Sequence, residues 1–116
     1  MSDFVVGRYY PISELVECVR HELDTDSVYM VYMPKGFGDF LVDSAVFVGA
    51  MPDFDDDDRE IFPLDVLERE LEPAYMQEHF QDVVFLAYKQ KPDASLGEVV
   101  ACLNHYAHYD DFLDLI

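Results

Sequence analysis

Between Asp53 and Glu60 the chain reads Asp-Phe-Asp-Asp-Asp-Asp-Arg-Glu, six carboxylates in eight residues. A helix or strand there would set like charges side by side, so the segment is expected to be a solvated loop. It is the one compositional break in the chain, which shows no internal repeat and no Ser/Gly linker. At 116 residues the length suits one core but not two, so the loop interrupts a single domain, residues 1–116. With 51% apolar and 15% aromatic residues, the chain can bury enough surface to offset its conformational entropy.

Charge excludes whole classes of partner. Twenty-five Asp and Glu against seven Lys and Arg give a net charge of −18. On a folded surface of roughly 6,500 Å², one excess negative charge falls on every ~360 Å². Direct binding of nucleic acid is excluded on this ground, because affinity for phosphates comes from Lys and Arg that displace counterions. Anionic membrane surfaces are excluded by the same sign. The field instead favours a basic partner, or polyvalent cations.

The start, Met1 to Gly7, lacks a basic segment followed by an apolar one, and so does not read as a secretory signal. The longest apolar runs, 28–33 and 45–51, are too short to span a bilayer. A cytoplasmic protein is expected, with Cys18 and Cys102 as buried free thiols.

Hydrophobic periods set out the elements. Ser13 is expected to cap a first helix in which Leu15, Val16, Val19 and Leu23 form the buried stripe, ending near Glu22 to Asp24. Runs 28–33 and 40–48 are rich in β-branched and aromatic residues, and the turn residues of 34–39 join them as an antiparallel hairpin. Phe4-Val5-Val6 is expected to add a short strand. Pro63 opens a short helix with a Leu64, Leu67, Leu71 stripe that stops before Pro73.

From Met76 the apolar set Met76, Phe80, Val83, Val84, Ala87 follows a helical period. Ser95 and Glu98 form an S-x-x-E capping box for a last helix along Leu96, Val99, Val100, Leu103, Tyr106 and Ala107. The acidic and apolar tail 109–116 is expected to dock in part. The expected fold is α+β: a small antiparallel sheet built on the central hairpin, about four helices, and a C-terminal helical hairpin.

Candidate chemistry is sparse. Asp53, Asp55 and Asp57 match the first ligand positions of an EF-hand loop, but Asp58 stands where the loop needs Gly and Leu64 where it needs Glu. His105 and His108, with Asp110 and Asp111 nearby, could share a helix face, but no further Cys or His motif completes a zinc set. Cys18 and Cys102 lie on apolar helical faces among carboxylates, which raise a thiol pKa. Gly36 and Gly38 lack the spacing of a phosphate-binding loop. No nucleophile, base and orienting group come together, so no cofactor, no metal and no enzymatic activity are expected.

The C-terminal half carries a resemblance. Its strings are Asp58-Arg59-Glu60-Ile61, Phe80-Gln81-Asp82-Val83-Val84, Lys91-Pro92-Asp93-Ala94-Ser95, and Leu103-Asn104-His105-Tyr106 through Asp110-Asp111-Phe112-Leu113. In these the chain resembles small acidic bacterial immunity proteins of the contact-dependent growth-inhibition type. The resemblance implies a non-enzymatic inhibitor that holds a cognate toxin domain, often a basic nuclease, in a one-to-one complex. Such proteins share no inhibitory motif, so it assigns no site residue.

The residues themselves suggest the site. Carboxylates of Asp53, Asp55, Asp56, Asp57, Asp58 and Glu60 would take the places of phosphates on the partner, with Phe54 as an apolar anchor. Asp110, Asp111 and Asp114 form a second candidate patch. The free chain is expected to be a monomer. Two other readings fit the same residues: a nucleic-acid mimic that blocks a DNA-binding protein, and a small metal-dependent enzyme using His105 and His108.

Overall fold

In the computed structural model, which describes residues 4–115, the apolar runs become the inner strands of a sheet. β1 (Arg8–Pro11) leads directly into α1 (Ile12–Arg20), followed by β2 (Met30–Pro34) and β3 (Ala45–Gly49). A small hairpin of β4 (Asp53–Phe54) and β5 (Glu60–Ile61) precedes α2 (Leu64–Glu68) and β6 (Leu71–Met76). α3 (Gln77–Gln90) and α4 (Leu96–Tyr109) pack together as a C-terminal helical hairpin. The fold is α+β, and its main sheet is antiparallel with strand order β1-β3-β2-β6.

Both faces of that sheet are covered, which is why its central strands read as unbroken apolar runs rather than an in-out alternation. Val31 pairs with Val48 and, with Met33, Val46, Tyr10 and Tyr75, turns toward the helices. There Leu15, Val16 and Val19 of α1, Phe80 and Val84 of α3, and Val99 and Leu103 of α4 complete the core. Tyr32 pairs with Phe47 on the opposite face, where Val66 of α2, Leu71 and Phe62 cover them. Gly49 ends β3 beneath these rings. A Cβ there would meet Tyr32 Cε2 at 2.9 Å and Phe47 Cε2 at 3.0 Å, so a side chain would displace packed aromatics.

Several boundaries differ from the sequence reading. Ser13 does not cap α1; Pro11 occupies that position, because β1 runs straight into the helix and the Ile12 amide donates to Ser44 O (2.8 Å). Leu23 is exposed, since the helix ends at Arg20 and a positive φ of 57° at Glu22 swings the chain so that Asp24 turns inward instead. Phe4-Val5-Val6 forms no strand. The segment docks instead through Phe4, stacked 5.4 Å from Tyr10, and through the Val5 amide, which donates to the Tyr10 hydroxyl (2.8 Å).

Residues 40–44 leave the β3 ladder because Asn104 of α4 captures the Phe40 backbone. The Phe40 amide donates to Asn104 Oδ1 (2.8 Å), and Asn104 Nδ2 donates to Phe40 O (3.0 Å). Val28 likewise lies outside β2 and is exposed. The sharpest correction is β6, read from sequence as the end of a helix. A single five-residue turn, α2, buries Val66 and leaves Leu64 and Leu67 in solvent, and Leu71 opens an edge strand instead. An edge strand tolerates the Pro73 that had argued for a break.

The C-terminal half follows expectation more closely. Helix α3 forms over the expected period from Phe80 to Ala87, with Met76 left exposed at the end of β6. The capping box is present, with Glu98 N donating to Ser95 Oγ and Ser95 N to Glu98 Oε1. The tail docks in part: Gln90 donates to Leu113 O (3.1 Å) and accepts from the Leu115 amide (2.9 Å). Cys18 and Cys102 are both buried and free. No described helix is long and apolar enough to cross a membrane.

Candidate functional site

The acidic segment is more ordered than a solvated loop. β4 and β5 pair Asp53 with Ile61 and Phe54 with Glu60, and the five residues between them close on a single carboxylate. Asp55 Oδ1 accepts from the amides of Asp57 and Arg59, both at 2.9 Å. Asp55 Oδ2 accepts from Arg59 Nε, and Asp57 Oδ2 from the Arg59 guanidinium, both at 3.1 Å. Asp58 closes the turn with a φ of 60°, a conformation Asp tolerates better than most residues. Arg59 thus offsets the repulsion that sequence reasoning weighed against any regular structure here.

Bracing leaves the outer charges free. Asp53, Asp56, Asp58 and Glu60 make no ion pair among the described residues and are exposed. The segment still carries five net negative charges. Averaged over the 6977 Å² surface, the 18 excess charges fall one to about 390 Å², so the hairpin is a strong local concentration. Phe54 is 63% exposed, so it does not pin the hairpin to the core. Burial, with smaller contributions from Asp65 and then Glu60, pushes the Tyr32 phenol up to about 12, while its hydroxyl donates to Ala50 O (2.7 Å).

The second acidic patch begins where α4 ends. Asp110 caps the helix in the left-handed conformation (φ 53°), Asp111 Oδ1 accepts from the Phe112 amide, and Asp114 is exposed. Asp110 also lines an open cleft of about 450 Å³ between β6 and the end of α4. Met30, Tyr75, Met76, His79 and Tyr106 form its walls. The His79 and Tyr106 rings lie 5.6 Å apart, and burial, aided by Asp110 and Asp82, pushes the Tyr106 phenol above its ordinary range.

Met76 connects the two regions. It borders both the cleft and a smaller hollow that Met51 closes, two residues before Asp53. Met30, paired with both Gly49 and Met76, marks the same end of the sheet, from which the acidic hairpin departs. Exposed Val28, Met51 and Met76 thus provide apolar surface beside the hairpin's root. Sequence reasoning missed this cleft. Tyr106 belonged to a helical stripe, Met76 began another, and His79 stood alone, so no spacing signalled that β6 would bring them together.

Asp55 and Asp57 are engaged by Arg59, and no cluster of three or more His, Cys, Asp or Glu with metal-holding geometry occurs among the described residues. His108 pairs with Asp39 across the fold, whereas the His105 ring rests 4.7 Å from Tyr109. Burial, with neighbouring carboxylates in support, pushes both thiols up, away from the reactive thiolate.

Residues 12–115 match the family model described as Domain of unknown function (DUF7716). No curated protein and no solved structure matches the chain.

Proposed function

The chain belongs to the DUF7716 family, and we propose that this member is an immunity protein, a non-enzymatic inhibitor of a basic toxin domain. The toxin is a nuclease, and the chain covers the surface that would otherwise grip its substrate. The reading rests on one observation: the hairpin 53–60 holds five net negative charges on a frame already braced by Asp55 and Arg59. Preordered carboxylates bind without a further ordering cost, and exposed Phe54 supplies an apolar contact among them. Asp110, Asp111 and Asp114 extend the anionic surface past the cleft. The inhibitor acts in the cytoplasm, as a monomer outside the complex.

The test pairs this chain with the product of the reading frame next to its gene. Expressed alone that product should arrest growth and degrade nucleic acid, and co-expression should restore both. Association measured by stopped flow should slow steeply with added salt, as expected for a charge-steered encounter. Replacing Asp55 through Asp58 with Asn should weaken the complex while leaving the domain folded. A rate indifferent to salt, or undiminished affinity in that variant, would remove the hairpin from the interface. Tight binding to a general DNA-handling protein, with no toxin neutralised, would favour the nucleic-acid mimic.

A further inference from the structure

We infer that the cleft between β6 and α4 receives an arginine side chain of the partner, its guanidinium at Asp110 and its stem between Met76 and Tyr106. The inference rests on the reading of a basic protein partner and adds a specific socket to it. Among the described residues Asp110 supplies the cleft's one carboxylate, and none of the Lys or Arg side chains lines its walls. The fourteen-residue α4 ends at this residue, so its terminal carbonyls add negative potential where a cation would sit.

The remaining walls suit a planar cation with an apolar stem. Tyr106 presents the face of a phenol ring, uncharged at neutral pH, and Met30 and Met76 supply aliphatic surface. Guanidinium stacks on aromatic rings and can bind a carboxylate bidentately, whereas ammonium offers only a point charge; arginine therefore fits better than lysine. The chain already uses this contact internally, with Arg20 4.0 Å from the Tyr88 ring centroid and Arg69 4.9 Å from that of Phe47.

An added β-strand is a poorer occupant. Pro73 and the register shift between Tyr75 and Pro73 interrupt the edge of β6 along the cleft. A protruding side chain needs no regular edge.

The probe is N-acetyl-arginine amide, titrated at low salt into the full ¹⁵N-labelled chain, with the uncharged citrulline analogue as control. Saturable shifts are expected at Met76, His79, Tyr106 and Asp110, with a dissociation constant in the millimolar range. They should disappear with citrulline and fall at least several-fold in affinity with Asp110→Asn. Asn accepts the left-handed cap conformation, so that variant keeps its fold. Equal shifts with citrulline, or no saturation at the cleft, would overturn the socket. Shifts confined to 53–60 would also overturn it, yet leave the hairpin reading standing. Loss of hairpin binding in the Asp55–Asp58 variant, with cleft titration intact, would separate the two in the other direction.

Discussion

The Tyr29 hydroxyl donates a 2.6 Å hydrogen bond to Asp24 Oδ2, and both residues are fully buried. Gln81 Nε2 of α3 donates to the same oxygen (2.9 Å), while Gln77 Nε2 donates to the carbonyls of Asp24 and Ser27. A polar knot thus ties the turn after α1 to α3, beneath the entry of β2. Asp24 Oδ1 has no partner among the described residues, so removing the Tyr29 hydroxyl leaves this buried carboxyl with Gln81 as its one side-chain donor, which costs more than the bond itself contributes. Tyr29→Phe keeps the ring and deletes only the donor. It should lower stability by about 2 kcal/mol in urea unfolding. A loss below about 0.5 kcal/mol, the scatter of ordinary surface changes, would mean the knot does not hold this corner.

The fold's dependence on buried phenols sets an alkaline limit. Burial, with Asp65 and Glu60 nearby, takes Tyr32 from 10.0 to about 12. Burial also raises Tyr29 and Tyr75, which donate to Asp24 and to Leu103 O. In each case the folded state holds the proton more tightly than the unfolded chain. This contribution is therefore complete below pH 10 and is lost as pH rises from 10 to about 12 for Tyr32. Two units at one site correspond to about 3 kcal/mol. The buried thiols, raised from 9.0, begin the same trend earlier. Urea midpoints should fall steeply above pH 10, together with the rise of phenolate absorbance. A midpoint constant through that range would contradict the assignment.

Elements governed by local chemistry were legible in the sequence. Ser95 and Glu98 announce their helix because the capping box closes within four residues, and the Val83 to Ala87 stripe needs only its own period. What escaped depends on distant partners. β6 is a strand because β2 lies beside it, and the sequence of Leu71 to Met76, with Pro73 inside, argues locally against one. Phe40 leaves its strand because of Asn104, sixty-four residues away. Asp24 is one acid among twenty-five, and nothing adjacent marks it for burial. The candidate site divides along the same line: the hairpin's acids were visible, but the cleft had to await the meeting of β6 with α4.

Arg59 and Asp55 make the last prediction, because they separate the hairpin's order from its charge. Asp55→Ala removes the acceptor for the Asp57 and Arg59 amides together with the guanidinium partner. Asp55→Asn retains one side-chain oxygen for those amides, but its NH2 group stands where Oδ2 accepted from Arg59 Nε, so the contact with the guanidinium is lost. Amide exchange at 57 and 59 should therefore quicken most in the Ala variant and less in the Asn variant. Global stability should stay within about 0.5 kcal/mol, since the hairpin carries no core residue. Asp56→Ala is the matched control, removing the same formal charge from an exposed side chain with no ion pair among the described residues. If preordered carboxylates hold the partner, Asp55→Ala must weaken the complex several-fold more than Asp56→Ala. Equal losses would show that the partner senses only the hairpin's charge.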